Sequence, residues 1–593
     1  MCGIFGYIGN DNHSVLKAIR GLKDLEYRGY DSWGIAVKTK DNIFIKKAVG
    51  KISAVSESDF KNTFGTVSLG HTRWATHGGV SPKNAHPHFS RDRSVVVVHN
   101  GIIENHDILR EEIKDQFGNN IFRSETDTEV IPLLIDLFME KGFSFEKAFI
   151  KTSRKLKGRF AFVALYKNEP FVLAARNGSP LVLGVGAQEY FIASDTPAFL
   201  DYTNKVYFFE NGEYAKISPE RATFFNLKSG QTISKKTEVI QWKKESASKG
   251  GHPHFMLKEI LDERELIENT VTLGSGAVMR TAELFKKADV IFFTAMGTAS
   301  HMGMAGEYIF SRIAQKSVRS VYAAEFDKVL PFINKKSVVC GITQSGETAD
   351  LLEAFKSAKQ KDAQIMSIIN ARGSSAERES LLSVPVNAGT EKAVASTKAA
   401  TAQFTILTLL AYALKGKQKQ GEKKLIETSR SIKEWLNKSL LRHISKIAQK
   451  IKDAEDLYVI GKSVNYPIAL EAALKIKEVS YIHAEGFAAG ELKHGTIALI
   501  EKGTPCLVLV SNDEYTHDVL NAAQELKARG ALIIGVSSQP SPLFDYFIQT
   551  PDLGDETSIA HMISSQILAY YLAVLRGVDP DKPRNLAKSV TVK

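Results

Sequence analysis

The chain has 593 residues, 44% hydrophobic and 24% charged, with a net charge of +11. This is the composition of a soluble globular protein, long enough for about three or four domains of about 100–200 residues each. Its three cysteines, Cys2, Cys340 and Cys506, make neither a disulfide framework nor a paired-cysteine zinc site; they fit a reducing, cytoplasmic setting. Basic residues are dispersed, with only short runs such as Lys235-Lys236 and Lys415-Gly416-Lys417. That argues against a nucleic-acid stripe and suits anionic substrates such as phosphates. No basic segment leads into an apolar one at the start, so no secretory signal is expected. No apolar run of about 18 residues is read, the longest lying near Phe404–Leu414, so no membrane span is expected either.

The chain begins Met1-Cys2-Gly3. Removal of Met1 would leave a thiol and a free α-amine on one residue. An α-amine with a pKa near ~8 is partly uncharged at neutral pH and can accept the thiol proton. Alone, Cys2 reads as a small residue opening a strand. Short strands are expected at Gly3–Ile8, Gly34–Val37, Val67–Gly70, Val95–His99, Phe160–Leu165, Phe171–Ala175, Phe191–Ser194 and Val206–Phe209. Helices are expected at Val15–Leu25, Ile108–Gln116 and Glu129–Glu140. Clustered strands with few helices between them predict packed antiparallel sheets covered by helices, an α+β unit over 2–242.

Residues 243–252, rich in Lys, Glu, Ser and Gly, read as a linker. Beyond it, strands alternate with long helices, the pattern of parallel α/β units. Strands are expected at Asp289–Thr294, Ser337–Thr343, Gln364–Ile369, Asp456–Gly461, Thr504–Ser511 and Ala531–Ser537. The strand–loop–helix at Asp289 and that at Asp456 suggest a duplicated domain, divided as 253–436 and 437–583. Lys415–Lys424 reads as an exposed turn, and residues 584–593 as an irregular tail.

Several stretches carry chemistry. Gly70–Gly79 reads as a loop at a strand end, with Arg73 offering a planar fork for a carboxylate and Trp74 an apolar plate. His99-Asn100-Gly101 could supply an oxyanion hole from an amide side chain and a backbone N–H; the same residues could form an Asn-Gly hairpin turn. Ser124–Glu129 reads as a helix cap, in which Asp127 could instead hold an ammonium group. His71, His77, His86, His88, His99 and His106 lack metal-ligand spacing and are expected to be hydrogen-bonded loop histidines; no metal is expected. Thr343-Gln344-Ser345-Gly346-Glu347-Thr348, between a strand end and a helix start, can cradle a phosphate, although it is not a P-loop. Glu471, Lys475 and Glu478 share one helical face, which a surface ion-pair ladder would also explain.

These residues match a known pattern. Cys2-Gly3-Ile4, Glu26–Ser32, His71–Gly78, His99–Asn105 and Ser124–Val130 resemble the class II, N-terminal-nucleophile glutamine amidotransferases. Thr343–Asp350, Val394–Lys398, Ser480–Gly495 and Arg584–Val592 resemble sugar-isomerase (SIS) domains. Their order, across nearly the whole chain, resembles the isomerising glutamine–fructose-6-phosphate aminotransferase family. The resemblance implies an αββα sandwich followed by two parallel α/β domains. It implies Cys2 as nucleophile, Asn100 and Gly101 as oxyanion hole, and Arg73, Thr76, His77, Asp127 and Arg28 around glutamine. Trp74 would gate an internal ammonia channel. For fructose 6-phosphate it implies Thr298, Thr343, Gln344, Ser345, Thr348 and Val394 as binding residues, with Glu478 and Lys475 moving the C1 proton to C2. His494 would enter from the partner of a homodimer, and Lys588 would close over the sugar as a possible imine former. No cofactor, metal, nucleic acid or membrane is implied. Trp33 and Ala299 depart from the family's usual alanine and serine, and Thr343 replaces a usual serine. An amidotransferase acting on another keto-sugar phosphate, and a sugar-phosphate sensor with a degenerate glutaminase, are the alternatives. The second would need a DNA-binding helix-turn-helix, and no basic recognition helix is read.

Overall fold

A computed structural model describes residues 2–240 and 249–591. The chain forms two compact units, Met1–Glu245 with Ser589–Lys593, and Ser246–Lys588. Of the expected linker 243–252, residues 243–248 lie outside the described residues, as does Met1.

The first unit is built by strand alternation. Side chains on a strand point alternately to its two faces, so one strand can serve two cores. On Gly3–Ile8, Phe5 and Tyr7 pack under helix Ser14–Asp24 with Ile19 and Leu22. Ile4 and Ile8 point the other way and meet Val98, Val163 and Leu165 of a second sheet. On that sheet Val95, Val97, Phe160 and Phe162 face helices Val130–Glu140 and Phe145–Lys155. The sheets have eight and seven strands, with antiparallel pairing throughout. The result is the expected four-layer αββα sandwich. Emptying one of its buried phenylalanine sites to alanine would cost about 3–5 kcal/mol.

Three local readings are corrected. The strands read as ending at Gly70 and His99 continue to Arg73 and Ile103, so Gly70–Arg73 is not loop and Asn100-Gly101 is not a hairpin turn. Both extensions carry polar residues that the fold buries (Thr72, Arg73 and Asn100), which is why polarity there looked like loop. Ser124 does not cap the following helix. Its hydroxyl and backbone N–H both donate to the Glu129 carboxylate at 2.7 Å, which draws the 123–124 backbone onto the helix start. The amphipathic helix Phe145–Lys155, capped by Ser144 Oγ, was not anticipated.

The second unit holds two five-stranded sheets, each wholly parallel. The first runs Arg319–Tyr322, Val290–Ala295, Ser337–Thr343, Gln364–Ile369, Leu382–Pro385. The second runs His483–Ala488, Asp456–Gly461, Pro505–Val510, Leu532–Ser537, Tyr546–Gln549. In both, the first strand in sequence lies between the second and the third. That reversal of winding opens a crevice at the strand C-termini, the usual ligand position in such sheets. The two copies share one apolar core, in which helices Phe255–Lys287, Lys398–Leu414, Asn465–Ser480 and Thr557–Leu575 meet. Lys415–Lys424 is only partly a turn, since helix Gln418–Trp435 starts within it.

The longest apolar stretch is not near Phe404. Gly554–Leu575 is long and apolar enough by length and composition to cross a membrane, and 83% of its most apolar window is buried in the fold. Ser558, His561, Ser564, Ser565 and Gln566 break its apolar run in sequence, yet all are buried. It is a core helix, apolar all round because protein surrounds it.

Candidate active sites

In the first unit Cys2 stands at the head of the strand Gly3–Ile8. The backbone N–H of Trp74 donates to its sulfur at 3.4 Å, and the thiol faces the Trp74 carbonyl at 3.5 Å. Two side chains converge on the Cys2 carbonyl: Arg28 Nε donates at 3.2 Å and Asn100 Nδ2 at 3.0 Å. Arg28 is held in turn by Asp195 at 3.3 Å. Burial pushes the Cys2 thiol up, while the Trp74 N–H and the Arg73 guanidinium pull it down.

The neighbouring predicted residues fall into place unevenly. Arg73 is buried at the end of its strand, and its guanidinium donates to the carbonyls of His77, Gly78 (2.9 Å) and Gly79 (3.1 Å). It therefore folds the 74–79 loop around itself. In that loop Trp74 is half-buried and Thr76 exposed, and His77 lies edge-on to His106 at 5.3 Å. Asp127 is buried and accepts the Ile103 N–H at 2.8 Å. Gly101 has φ +124°, and a Cβ there would lie 2.0 Å from the Arg159 carbonyl oxygen. Only glycine fits this kink within a strand. The Trp33 departure lies in the helix-covered core, with its ring 6.4 Å from that of Phe60.

Of the six histidines, only His77 and His86 are loop residues, and His106 opens the helix His106–Phe117. His71, His88 and His99 sit on strands and, with His86, are buried. His86 stacks on His71 with ring centroids 4.0 Å apart. Burial pushes all four below the ordinary imidazole value, His71 to about 3, so all are neutral near pH 7. Among the described residues no group of histidine, cysteine or carboxylate side chains has the geometry of a metal site.

In the second unit the hydroxyl-rich loop occupies the crevice of the first sheet, after strand Ser337–Thr343 and before helix Ala349–Lys359. Gly346 has φ +67°, and a Cβ there would lie 2.1 Å from Ser374 Oγ. Thr343 Oγ1 accepts the Gly346 N–H at 3.0 Å and Ser345 Oγ that of Glu347 at 3.2 Å. Thr348 is the residue before the helix, but its side chain makes no cap hydrogen bond, so the first helical N–H groups stay available to an anion. Gln344 and Ser345 are half-buried beside it.

Against this copy lies helix Asn465–Ser480 of the second copy. Glu471 and Lys475 are each only 1% exposed, which removes the surface-ladder reading. Lys475 Nζ donates to Glu478 and, at 2.9 Å, to Thr298 Oγ1. Thr298 Oγ1 donates to Glu471 Oε1 at 3.0 Å, and the second Glu471 oxygen meets His301 Nδ1 at 2.8 Å. Burial opposes the charge on Lys475, but Glu471 and Glu478 outweigh it and hold its pKa above the ordinary lysine value. His301 was not anticipated; its position three residues after Thr298, one helical turn on, is the signal that could have found it. Ala299 packs against the apolar core.

Lys588 is buried in an ion pair with Glu391, another residue not anticipated. Glu391 also accepts the Thr397 N–H (2.9 Å), the Ala399 N–H (3.2 Å) and the Ser396 hydroxyl (3.0 Å). Val394, in the same loop, donates its N–H to the Asp581 carbonyl at 3.0 Å. His494 is exposed at the end of the turn Ala489–His494, and no described hydrogen bond or ion pair joins it to Lys475 or Glu478.

The glutamine amidotransferase domain family matches residues 71–201, and the SIS domain family matches residues 284–413 and 450–576. Glutamine–fructose-6-phosphate aminotransferase [isomerizing] of Thermococcus kodakarensis is 42% identical over 605 residues, covering 100% of both chains. That of Pyrococcus horikoshii is 43% identical over 602 residues, again covering 100% of both. The solved C-terminal domain of glucosamine-fructose-6-phosphate aminotransferase from Francisella tularensis covers 57% of this chain and 100% of its own, at 33% identity and a TM-score of 0.53. With this identity along its whole length and both domain families matched, the chain belongs to the isomerizing glutamine–fructose-6-phosphate aminotransferase family of enzymes.

Proposed function

We propose that this enzyme hydrolyses the side-chain amide of glutamine at Cys2 and transfers the ammonia to fructose 6-phosphate, giving glutamate and glucosamine 6-phosphate. The observation that carries this reading is the convergence of Trp74, Arg28 and Asn100 on Cys2 from distant parts of the chain. Once Met1 is removed, the α-amine of Cys2 takes the thiol proton and the thiolate attacks the amide carbon. Asn100 Nδ2 and the Gly101 N–H stabilise the oxyanion. The α-amine returns the proton to the leaving ammonia, and water then cleaves the thioester. Arg73 reads the α-carboxylate and Asp127 the α-ammonium, with Thr76, His77 and Arg28 completing the pocket. Trp74 gates an internal route for ammonia.

In the SIS half, Thr343, Gln344, Ser345 and Thr348 hold the phosphate, and Thr298 and Val394 contact the sugar. Lys588 leaves Glu391 to form an imine with the C2 carbonyl, expelling water. Ammonia replaces the lysine, and Glu478 moves a proton from C1 to C2, with Lys475 fixing its orientation. The exposed His494 serves ring opening in the partner of a homodimer. The domains run 2–242, 253–436 and 437–583, with residues 584–593 closing the sugar site, and the enzyme works in the cytoplasm.

Intact mass should show Met1 absent. The trimmed protein, given glutamine and fructose 6-phosphate, should form glucosamine 6-phosphate. Cys2→Ala should abolish glutamine hydrolysis while retaining sugar-phosphate binding. Hydrolysis persisting in Cys2→Ala would remove Cys2 from its role.

A further inference from the structure

The chain of hydrogen bonds behind Cys2 continues past Asn100. The Cys2 carbonyl can only accept, so the Asn100 atom 3.0 Å from it is Nδ2, and Asn100 Oδ1 faces the opposite way. There it meets His71 Nε2 at 3.0 Å. The same nitrogen lies 2.9 Å from the His99 carbonyl, another group that can only accept. Both contacts require the His71 proton on Nε2. His71 Nδ1 is buried without a hydrogen-bond partner, so a second proton would be uncompensated there. His71 is therefore a fixed, single-proton donor. Its ring cannot turn freely, because His86 stacks on it at an interplanar angle of 12°. His86 is itself held, its Nδ1 accepting the His99 N–H at 3.3 Å.

In this arrangement both Asn100 amide hydrogens are engaged, one on the Cys2 carbonyl and one on Ser194 Oγ at 2.7 Å. To stabilise an oxyanion the amide must redirect one of them without losing its plane. The amide oxygen is the end that stays anchored while this happens. We propose that His71 is a positioning residue for the oxyanion hole: its Nε2–H holds the Asn100 carbonyl oxygen and so aims the amide hydrogens at the oxygen of the carbonyl that Cys2 attacks. This rests on the glutaminase reading given above. It adds a residue that touches neither glutamine nor the nucleophile and that acts only through Asn100.

The test uses the full-length, Met1-trimmed enzyme and three variants. In His71→Gln the amide nitrogen can reach the Nε2 position and donate. In His71→Asn a nitrogen reaches only the Nδ1 position, and His71→Leu has no donor. Loss of an oxyanion donor itself costs about 10²–10³ in kcat; loss of its support is expected to cost about 10–100-fold. Asn and Leu variants should lose that much kcat for glutamine hydrolysis with KM within threefold of wild type. His71→Gln should stay within fivefold. Alkylation of Cys2 by iodoacetamide, a displacement with no oxyanion, should keep its wild-type rate in all three, whereas a collapsed site would slow it. If the leucine variant does not fold, the Gln–Asn pair decides alone. Equal impairment of Gln and Asn, kcat within threefold in the Asn variant, or alkylation falling in step with kcat would each overturn the proposal. A wild-type enzyme that alkylates at Cys2 but hydrolyses no glutamine would instead overturn the glutaminase reading on which it rests.

Discussion

The two SIS copies have one topology and opposite chemistry. Both reverse their winding between the first and third strands, so both have a crevice at the strand ends. In the first copy the crevice loop is Thr343-Gln344-Ser345-Gly346-Glu347-Thr348, followed by a helix start that no side chain caps. In the second the corresponding loop is Ser511-Asn512-Asp513-Glu514-Tyr515. Arg312 of the first copy is committed to Glu514 at 2.8 Å and to Asp555 at 3.0 Å. Burial pushes the Asp513 carboxyl up, and Glu514 pushes it the same way. An anion entering the second crevice would meet carboxylates, whereas one entering the first meets hydroxyls and N–H groups. The second copy contributes instead the helix after its first strand, which carries Glu471, Lys475 and Glu478 to Thr298 and His301 of the first. Under the proposed mechanism the duplicated fold supplies a binding copy and a proton-transfer copy, and the crevice charge distinguishes them.

That division can be broken by experiment. The largest effect belongs to the proton-transfer copy. Glu478→Gln should lower glucosamine 6-phosphate formation by about 10²–10⁴-fold, the range for loss of a general base. A loss under tenfold, measured by product formation at saturating substrates, would move the role elsewhere. Next, Ser345→Asp imports the second copy's charge into the first crevice. A like charge beside a bound phosphate costs several kcal/mol, so KM for fructose 6-phosphate should rise by about a hundredfold or more. An unchanged KM would place the phosphate elsewhere.

A smaller effect separates the copies by pH. His561 is buried in the second copy's core helix, hydrogen-bonded to Asn465 Oδ1 at 3.0 Å, and burial pushes it down to about 3. The first copy's core helix, Lys398–Leu414, has no histidine. With an unfolded value near ~6.5, the unfolded chain gains a proton below that pH while the folded one stays neutral until about pH 3. Stability is therefore full above pH 6.5 and falls with pH, by about 2 kcal/mol between pH 7 and 5. Hydrogen exchange should show protection of Thr557–Leu575 weakening over that interval, and His561→Asn should remove most of the change. The smallest effect is predicted for Asp513→Ser with Glu514→Gln, which should leave KM for fructose 6-phosphate within twofold. A larger shift would show that the second crevice also takes part in sugar binding.

The sequence was most legible where chemistry and chain position coincide. Cys2 stands out as a candidate because removal of Met1 would expose its α-amine beside its thiol. The strand–loop–helix at Ser345 is recognisable because hydroxyls and glycine replace apolar residues at a strand end. Legibility failed where burial reverses the ordinary meaning of polarity. Thr72, Arg73 and Asn100 looked like loop and are strand, because the site surrounds them. Glu471 and Lys475 looked like a surface ladder and are core, because each neutralises the other. His561 and Gln566 interrupted an apolar pattern that the fold continues.

By itself, the sequence determined the layering of the first unit and the duplicated parallel sheets, and it put Cys2 forward as the candidate nucleophile. Hydrophobic period and glycine placement are local properties, and both are readable residue by residue. The tertiary structure alone decided which polar groups meet: Asn100 with Cys2, His71 with Asn100, Glu471 with His301, Glu391 with Lys588. Each of these pairs but the second joins residues more than 90 positions apart. Spacing along a chain carries no information about such pairs, because buried polar groups are paired by the folded geometry and by the cost of leaving them unpaired.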